Sequence, residues 1–297
     1  LACYFPLYKI TNEIPSLKTF RSTNGNLQNL LKLQILEPIQ EMHLAKRIRR
    51  VGSIKDKISM QVKDQYEDNP YPRWKSSTYK NNHKISVIEK INKAIKPSTI
   101  NHNLSKLEIN ILIAGCGTGK HIFDAIDYAN AHFTCIDLSL SSLSYAQRKI
   151  DELKVNNIDL IQMDILDIHL LENEFDIIEC SGVLHHMTDP TKGLKALLGV
   201  LKKEGFLKLA LYSEKARKDI IKAKEYIRRM KIQSNINDIH KFRKDIISGK
   251  LAEIQNIEEW HDFYSTSEFR DLCFHVKEHR FTINQLEEVF NSHKLEF

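Results

Sequence analysis

Between Glu108 and Tyr212, short apolar runs alternate with stretches that repeat every three to four residues. The apolar runs are Ile109–Ala114, His132–Asp137, Ile158–Met163, Phe175–Cys180 and Phe206–Tyr212. Between them, Leu143, Ala146, Ile150 and Leu153 share one helical face, and Leu194, Leu197, Leu198 and Leu201 share another. The second helix opens at Thr188-Asp189-Pro190, a capping residue followed by proline in the first turn. Near-continuous apolar strands joined through helices predict a parallel sheet covered on both faces, an α/β fold.

The flanks read differently. Residues 1–64 are helical and irregular, with Leu27, Leu30, Leu31 and Ile35 near helical spacing and Pro38 marking a break or a new start. Tyr66 to Trp74 reads Y-E-D-N-P-Y-P-R-W, two prolines and three aromatics in nine residues, which makes a stiff, extended segment. It is either a linker pinned by its aromatics or a lid in which Tyr66, Tyr71 and Trp74 offer flat surface to a ligand. Residues 84–96 form a short amphipathic helix. Residues 213–281 break the alternation with a basic helix around Ile220–Met230 and a cluster of Trp260, Phe263, Tyr264, Phe269 and Phe274. Thr282-Ile283-Asn284-Gln285 is a capping box, and Leu286, Val289 and Phe290 face inward from the helix it starts. A further strand is expected at Leu295, with its successor absent, so the sheet should hold six strands or fewer.

The first strand runs into A-G-C-G-T-G-K, with glycines at Gly115, Gly117 and Gly119. A strand that turns on glycines into a helix lets backbone approach a ligand closely. A dinucleotide loop reads G-x-G-x-x-G; here the third glycine comes one residue early and Lys120 stands in its place. G-x-G-x-G resembles the S-adenosylmethionine (SAM) loop of class I methyltransferases.

Ligands of such sheets lie beyond the carboxyl ends of the strands. The second strand ends at Asp137, suited to ribose hydroxyls. The third is followed by Asp164, suited to an adenine amino group, with Leu138 and Ile165 flanking the ring. The fourth ends in Cys180-Ser181-Gly182-Val183-Leu184-His185-His186, under the sulfonium end. A single strand-end Asp is more often a turn or cap residue; several in the right order make coincidence harder.

The 297 residues carry 42% hydrophobic and 28% charged side chains, enough for a full core, and a net charge of +6. Lys46-Arg47 with Arg49-Arg50, and Arg228-Arg229-Met230-Lys231, read as solvated helix faces rather than nucleic-acid patches. The five cysteines, Cys3, Cys116, Cys135, Cys180 and Cys273, form no C-x-x-C, which argues against a zinc site and for a reduced, cytoplasmic protein. No apolar run is long enough to span a membrane. The missing initiator Met and the ending at Leu295-Glu296-Phe297 fit a fragment or processed chain.

Taken together, Y-E-D-N-P-Y-P-R-W, A-G-C-G-T-G, Asp137-Leu138-Ser139, Ser144-Tyr145-Ala146, F-D-I-I-E-C-S-G-V-L-H-H-M-x-D-P, L-Y-S-E-x-A-R at 211–217 and F-H-V-K-E-H-R-F-T at 274–282 resemble a bacterial subgroup of class I SAM-dependent methyltransferases often fused to tetratricopeptide repeats. Lys203-Glu204-Gly205-Phe206 replaces the usual P-G-G, and the repeats are missing from this chain. The resemblance implies a Rossmann-like sheet, an N-terminal helical extension with lid (1–82), a SAM-binding domain (83–297) and a substrate-side insertion after the fifth strand (213–281). It implies SAM held by Gly115, Cys116, Gly117, Gly119, Asp137, Leu138, Asp164, Ile165, Ser181, Gly182 and Val183, and no particular methyl acceptor. His186 is the first candidate for a general base, with a capping role as the bland alternative; Tyr212 is expected to face the acceptor, and His275 and His279 to lie on the substrate side. No N/D-P-P-Y/F follows the fourth strand and no Pro-Cys occurs, which argues against amino-methylation of planar groups and cytosine-C5 chemistry. Small molecules and protein side chains stay open, as does a tetratricopeptide-repeat partner. The rivals are a non-catalytic SAM-fold binding protein, an RNA methyltransferase, and a zinc peptidase based on H-x-x-E-H at His275–His279.

Overall fold

The computed structural model describes residues 5–77, 84–100 and 108–296. The expected boundary at 82–83 lies outside the described residues, as does Cys3.

Six parallel strands form one sheet. They are β1 (Arg49–Arg50), β2 (Ile109–Ala114), β3 (Ala131–Asp137), β4 (Ile158–Gln162), β5 (Phe175–Ser181) and β6 (Leu201–Ala210), in the order β1-β4-β3-β2-β5-β6. The chain winds outward from β2 through β3 to β4, then returns to place β5 on the other side of β2. That reversal sets the crevice of the switch point between β2 and β5.

The sixth strand is not the one expected at Leu295. Leu295 N–H instead bonds Phe290 O at 3.0 Å, closing the end of the last helix, and residues 295–296 are not in a strand. The edge is supplied by the N-terminal extension, where Arg49 and Arg50 pair with Ile161 and Gln162. β6 also begins earlier than expected. Leu201 opens the strand rather than completing a helical face, and a register irregularity against Phe175 and Ile177 absorbs the extra length.

Eleven α-helices surround the sheet among the described residues. In the extension, α1 (Gly25–Leu31) continues through a π turn into α2 (Glu37–Ala45), and α3 (Lys57–Asp68) follows β1. Pro38 therefore does not break the helix: it sits in the first turn of α2, just past the π turn. Next come α4 (Val87–Ala94), α5 (Lys120–Ala125), α6 (Leu140–Leu153) and α7 (Pro190–Leu198). The insertion holds α8 (Lys218–Arg229), α9 (Ile236–Ile247) and α10 (Thr266–Phe274); α11 (Ile283–Ser292) carries the capping box.

Alternating residues of β2 feed two cores. Ile109, Ile111 and Ile113 pack with Ile122, Phe123, Leu143 and Ile150 on one face. Leu112 and Ala114 pack with Ile136, Ile178, Leu194 and Leu197 on the other. The insertion has its own core of Ile220, Ile239, Phe242, Phe263, Phe269 and Leu272.

The extension is clamped to the sheet layer by one buried cation. Arg148 of α6 meets Glu37 at 3.2 Å, Glu41 at 2.9 Å and Glu152 at 2.7 Å, with 1% of its side chain exposed. Glu37 and Glu41 are one helical turn apart on α2, so both reach the same guanidinium. Asp56 caps α3 and accepts a hydrogen bond from Thr188 Oγ1 at 3.0 Å.

Candidate active site

The carboxyl ends of β2, β3, β4 and β5 open into a cavity of about 450 Å³. β2 stops at Ala114 because Gly115 turns to φ +77°, and the N–H groups of Gly115 and Cys116 both bond Ile136 O. A Cβ on Gly115 would lie 2.1 Å from Val183 Cγ2, so the turns after β2 and β5 touch across the switch point. Gly115, Cys116 and Gly117 line the cavity; Gly119 does not. It caps α5 in the left-handed region, and a Cβ there would sit 3.0 Å from Ala146 Cβ of α6. Its glycine serves helix packing.

Asp137 ends β3. Its Oδ2 accepts from Gly117 N–H at 2.8 Å and its Oδ1 from Ser139 N–H at 2.9 Å. Burial pushes this carboxyl up, against those N–H bonds. Each oxygen keeps a second lone pair. Asp164 is buried, and its Oδ1 accepts from Leu166 N–H at 3.0 Å, capping the 3₁₀ turn Ile165–Leu171. Both aspartates thus brace a turn and line the cavity, together with Leu138, Ile165, Ser181, Gly182 and Val183.

The Y-E-D-N-P-Y-P-R-W segment is not extended throughout: Tyr66, Glu67 and Asp68 form the last turn of α3, and the chain turns away only after them. Glu67 accepts from Leu140 N–H, Ser141 N–H and Ser141 Oγ at 2.6–3.0 Å, capping α6. Tyr66, Tyr71 and Pro72 line the cavity. Trp74 does not: it is buried in the core against Phe123 and Tyr145 and donates Nε1–H to Thr118 O at 3.0 Å. It fixes the segment to the glycine turn instead of offering a face to a ligand.

His186 and Tyr212 line the cavity; His275 and His279 do not. His275 stacks on His186, ring centroids 3.4 Å apart, behind the wall. His279 turns its Nε2 to Met187 O at 3.1 Å. Burial brings His186 down to about 4, so the ring is neutral at pH 7. Its Nδ1 lies 2.7 Å from Lys277 O. A carbonyl only accepts, so Nδ1 carries the proton and Nε2 keeps its lone pair, with no partner among the described residues.

The H-x-x-E-H segment is not helical, since α10 ends at Phe274. Glu278 is held by Arg217 and Lys224, each at 2.7 Å, and the two histidines face different partners. This geometry overturns the zinc-peptidase reading.

Sequence reasoning missed Ser59, Val62, Lys120, His121, Ile136, Ser142, Met163, Met187, Asp262, Asp271 and Leu272, which also line it. Asp262 and Asp271 come from the insertion. Tyr66 Oη donates to Asp271 Oδ1 at 2.6 Å. Burial pushes Asp271 up to about 6, even with that bond and the nearby Arg217. Burial and Glu268 push Asp262 up as well. Asp271 sits among Phe269, Leu272 and Cys273 on an amphipathic helix, and no motif marks it.

The methyltransferase domain family matches residues 105–270. The chain belongs to that family. It is 40% identical over 120 residues to an uncharacterized protein of Synechococcus sp., covering 39% of this chain and 28% of that protein. It is 30% identical over 155 residues to a ubiquinone biosynthesis O-methyltransferase of Actinobacillus pleuropneumoniae, covering 49% of this chain and 62% of that one. PKMT2 from Rickettsia typhi shares the fold, with TM-score 0.53 at 20% identity over 65% of this chain and 39% of its own. The same protein in complex with AdoHcy superposes with TM-score 0.51. The chain therefore spans less than two thirds of the length of these relatives.

Proposed function

We infer that this methyltransferase domain binds SAM across the switch point and transfers its methyl group to an acceptor entering between the extension and the insertion. The observation that carries this is one cavity lined at once by the glycine turn, Asp137, Asp164 and the turn after β5. The donor set fits the group. Asp137 and Asp164 offer lone pairs for ribose hydroxyls and an adenine amine, Leu138, Met163 and Ile165 offer apolar flanks, and Lys120 offers a cation for a carboxylate. SAM supplies an activated methyl group on a strong leaving group, so the protein's main task is to hold acceptor and methyl in line. His186 Nε2, neutral and unpartnered, can accept a proton or orient the acceptor.

A non-catalytic scaffold would have no reason to combine this floor with a neutral imidazole and two carboxylates at the acceptor wall. The acceptor is a small molecule or a protein side chain. Neither basic run lines the cavity, which favours those over RNA. The relatives' greater length leaves room for the tetratricopeptide repeats that the motifs suggest as partner or fusion. No helix among the described residues is long and apolar enough to cross a membrane. With the unpaired, buried Cys116, Cys135, Cys180 and Cys273, this favours a cytoplasmic setting. Incubation with methyl-tritiated SAM and a cell extract tests the reading. Label is expected in an extract component only when the protein is present; label confined to unreacted SAM contradicts it.

A further inference from the structure

The acceptor wall is rich in groups that accept protons or face cations. Asp271 and Asp262 contribute carboxylates, His186 contributes the Nε2 lone pair, and Tyr66 and Tyr71 contribute aromatic rings; the Tyr212 ring is already covered by His185, stacked at 3.7 Å, and by the Arg217 guanidinium, 3.8 Å from its centroid. Tyr66 engages Asp271 Oδ1 only, and Oδ2 has no partner among the described residues. Arg217 and Lys224, whose charges act on Asp271, line no part of the cavity and are both tied to Glu278. Lys120 and His121, which do line it, follow the glycine turn, and His121 is bonded to the buried Glu179 at 2.9 Å. An anionic acceptor would meet two carboxylates here. An apolar one would leave Asp271 Oδ2 and His186 Nε2 without partners. A cation bearing several N–H donors satisfies all of them, and tyrosine faces attract it further.

We propose that the methyl acceptor is an aliphatic amine that enters as its ammonium, held by the Asp271 carboxylate between Tyr66 and Tyr71. The assignment rests on reading the cavity as a SAM site. Asp271 takes one proton from the ammonium, which frees the nitrogen lone pair. That pair forms the new N–C bond to the methyl carbon as the C–S bond breaks, and the C–S electrons stay on sulfur as a neutral thioether. The methylated nitrogen leaves as an ammonium, and Asp271 passes its proton to water. His186 Nε2 accepts from a remaining N–H and fixes the direction of the lone pair.

Sinefungin tests this without turnover. It keeps the nucleoside and amino-acid frame of SAM but carries an amine on carbon in place of the methyl sulfonium. Calorimetry should show wild-type protein holding sinefungin at least about tenfold tighter than AdoHcy, as expected for a charge-assisted hydrogen bond. Asp271→Asn should remove that preference and leave AdoHcy affinity within about twofold, which also reports that the variant is folded. Equal affinity of wild-type protein for the two ligands overturns the amine assignment, as does a preference that survives Asp271→Asn. The wild-type ratio decides the matter alone should the variant fail to fold. If AdoHcy itself does not bind, the SAM reading fails first and the amine assignment falls with it.

Discussion

Tyr66 of α3 donates its hydroxyl hydrogen to Asp271 Oδ1 of α10 at 2.6 Å, joining the N-terminal extension to the insertion across the mouth of the site. Neither residue belongs to the strand–helix core, yet together they set the charge of its acceptor wall. The bond from Tyr66 holds the Asp271 carboxyl lower than burial alone would. Tyr66→Phe should therefore raise its titration midpoint above the wild-type value of about 6, read by carbon NMR of labelled aspartate.

The same carboxyl opposes stability. Its folded pKa lies above the ordinary 3.8, so the folded state binds the proton more tightly than the unfolded one. Stability is then lost as pH rises from about 4 through about 6. Asp271→Asn is expected to raise the thermal midpoint at pH 7.5, with the gain vanishing below pH 4. A midpoint lowered at pH 7.5 would mean that Asp271 is stabilised by partners other than Tyr66.

Glu278 titrates the other way. Burial pushes it up, but hydrogen bonds from Arg217 and Lys224 outweigh burial and hold it at about 2. Its contribution is complete above the ordinary 4.5 and fades as pH falls toward 2. Glu278→Gln should cost about 3–5 kcal/mol at pH 7, because it leaves Arg217 and Lys224 without their carboxylate. Denaturant titrations at pH 7 and pH 3 should show the gap to wild type narrowing at the lower pH.

The sheet and its floor were legible in the sequence because both rest on local signals. Apolar runs fix β2–β5, and strand-tip residues such as Asp137 follow from where those runs end. The acceptor wall was not legible, because Asp262 and Asp271 reach the cavity through the packing of an insertion with its own core. The segment was open to two readings, pinned linker or lid, and Trp74 follows the first, because composition cannot say which aromatic of Y-E-D-N-P-Y-P-R-W turns inward. β1 is two residues long and apolar on neither face, so no periodicity announces it. Its place at the edge of the sheet instead of a strand at Leu295 is a tertiary choice.

Arg148 tests whether the extension is a permanent part of the site. Arg148→Ala leaves Glu37 and Glu41 facing each other beside α6, at a cost of about 3–5 kcal/mol. Hydrogen exchange should quicken first in α2 and α3 while β2 and β3 stay protected. Uniform loss of protection would mean that extension and sheet unfold together.

The central claim is that the glycine turn and the strand-tip acids form one SAM cradle, and Asp137 is the residue that tests it. Calorimetry of AdoHcy against wild-type protein and Asp137→Ala reads it directly. One equivalent should bind the wild type, and the variant should bind roughly 10–100-fold more weakly through loss of a charge-assisted hydrogen bond. No binding to the wild type, or equal affinity in the folded variant, would contradict the account.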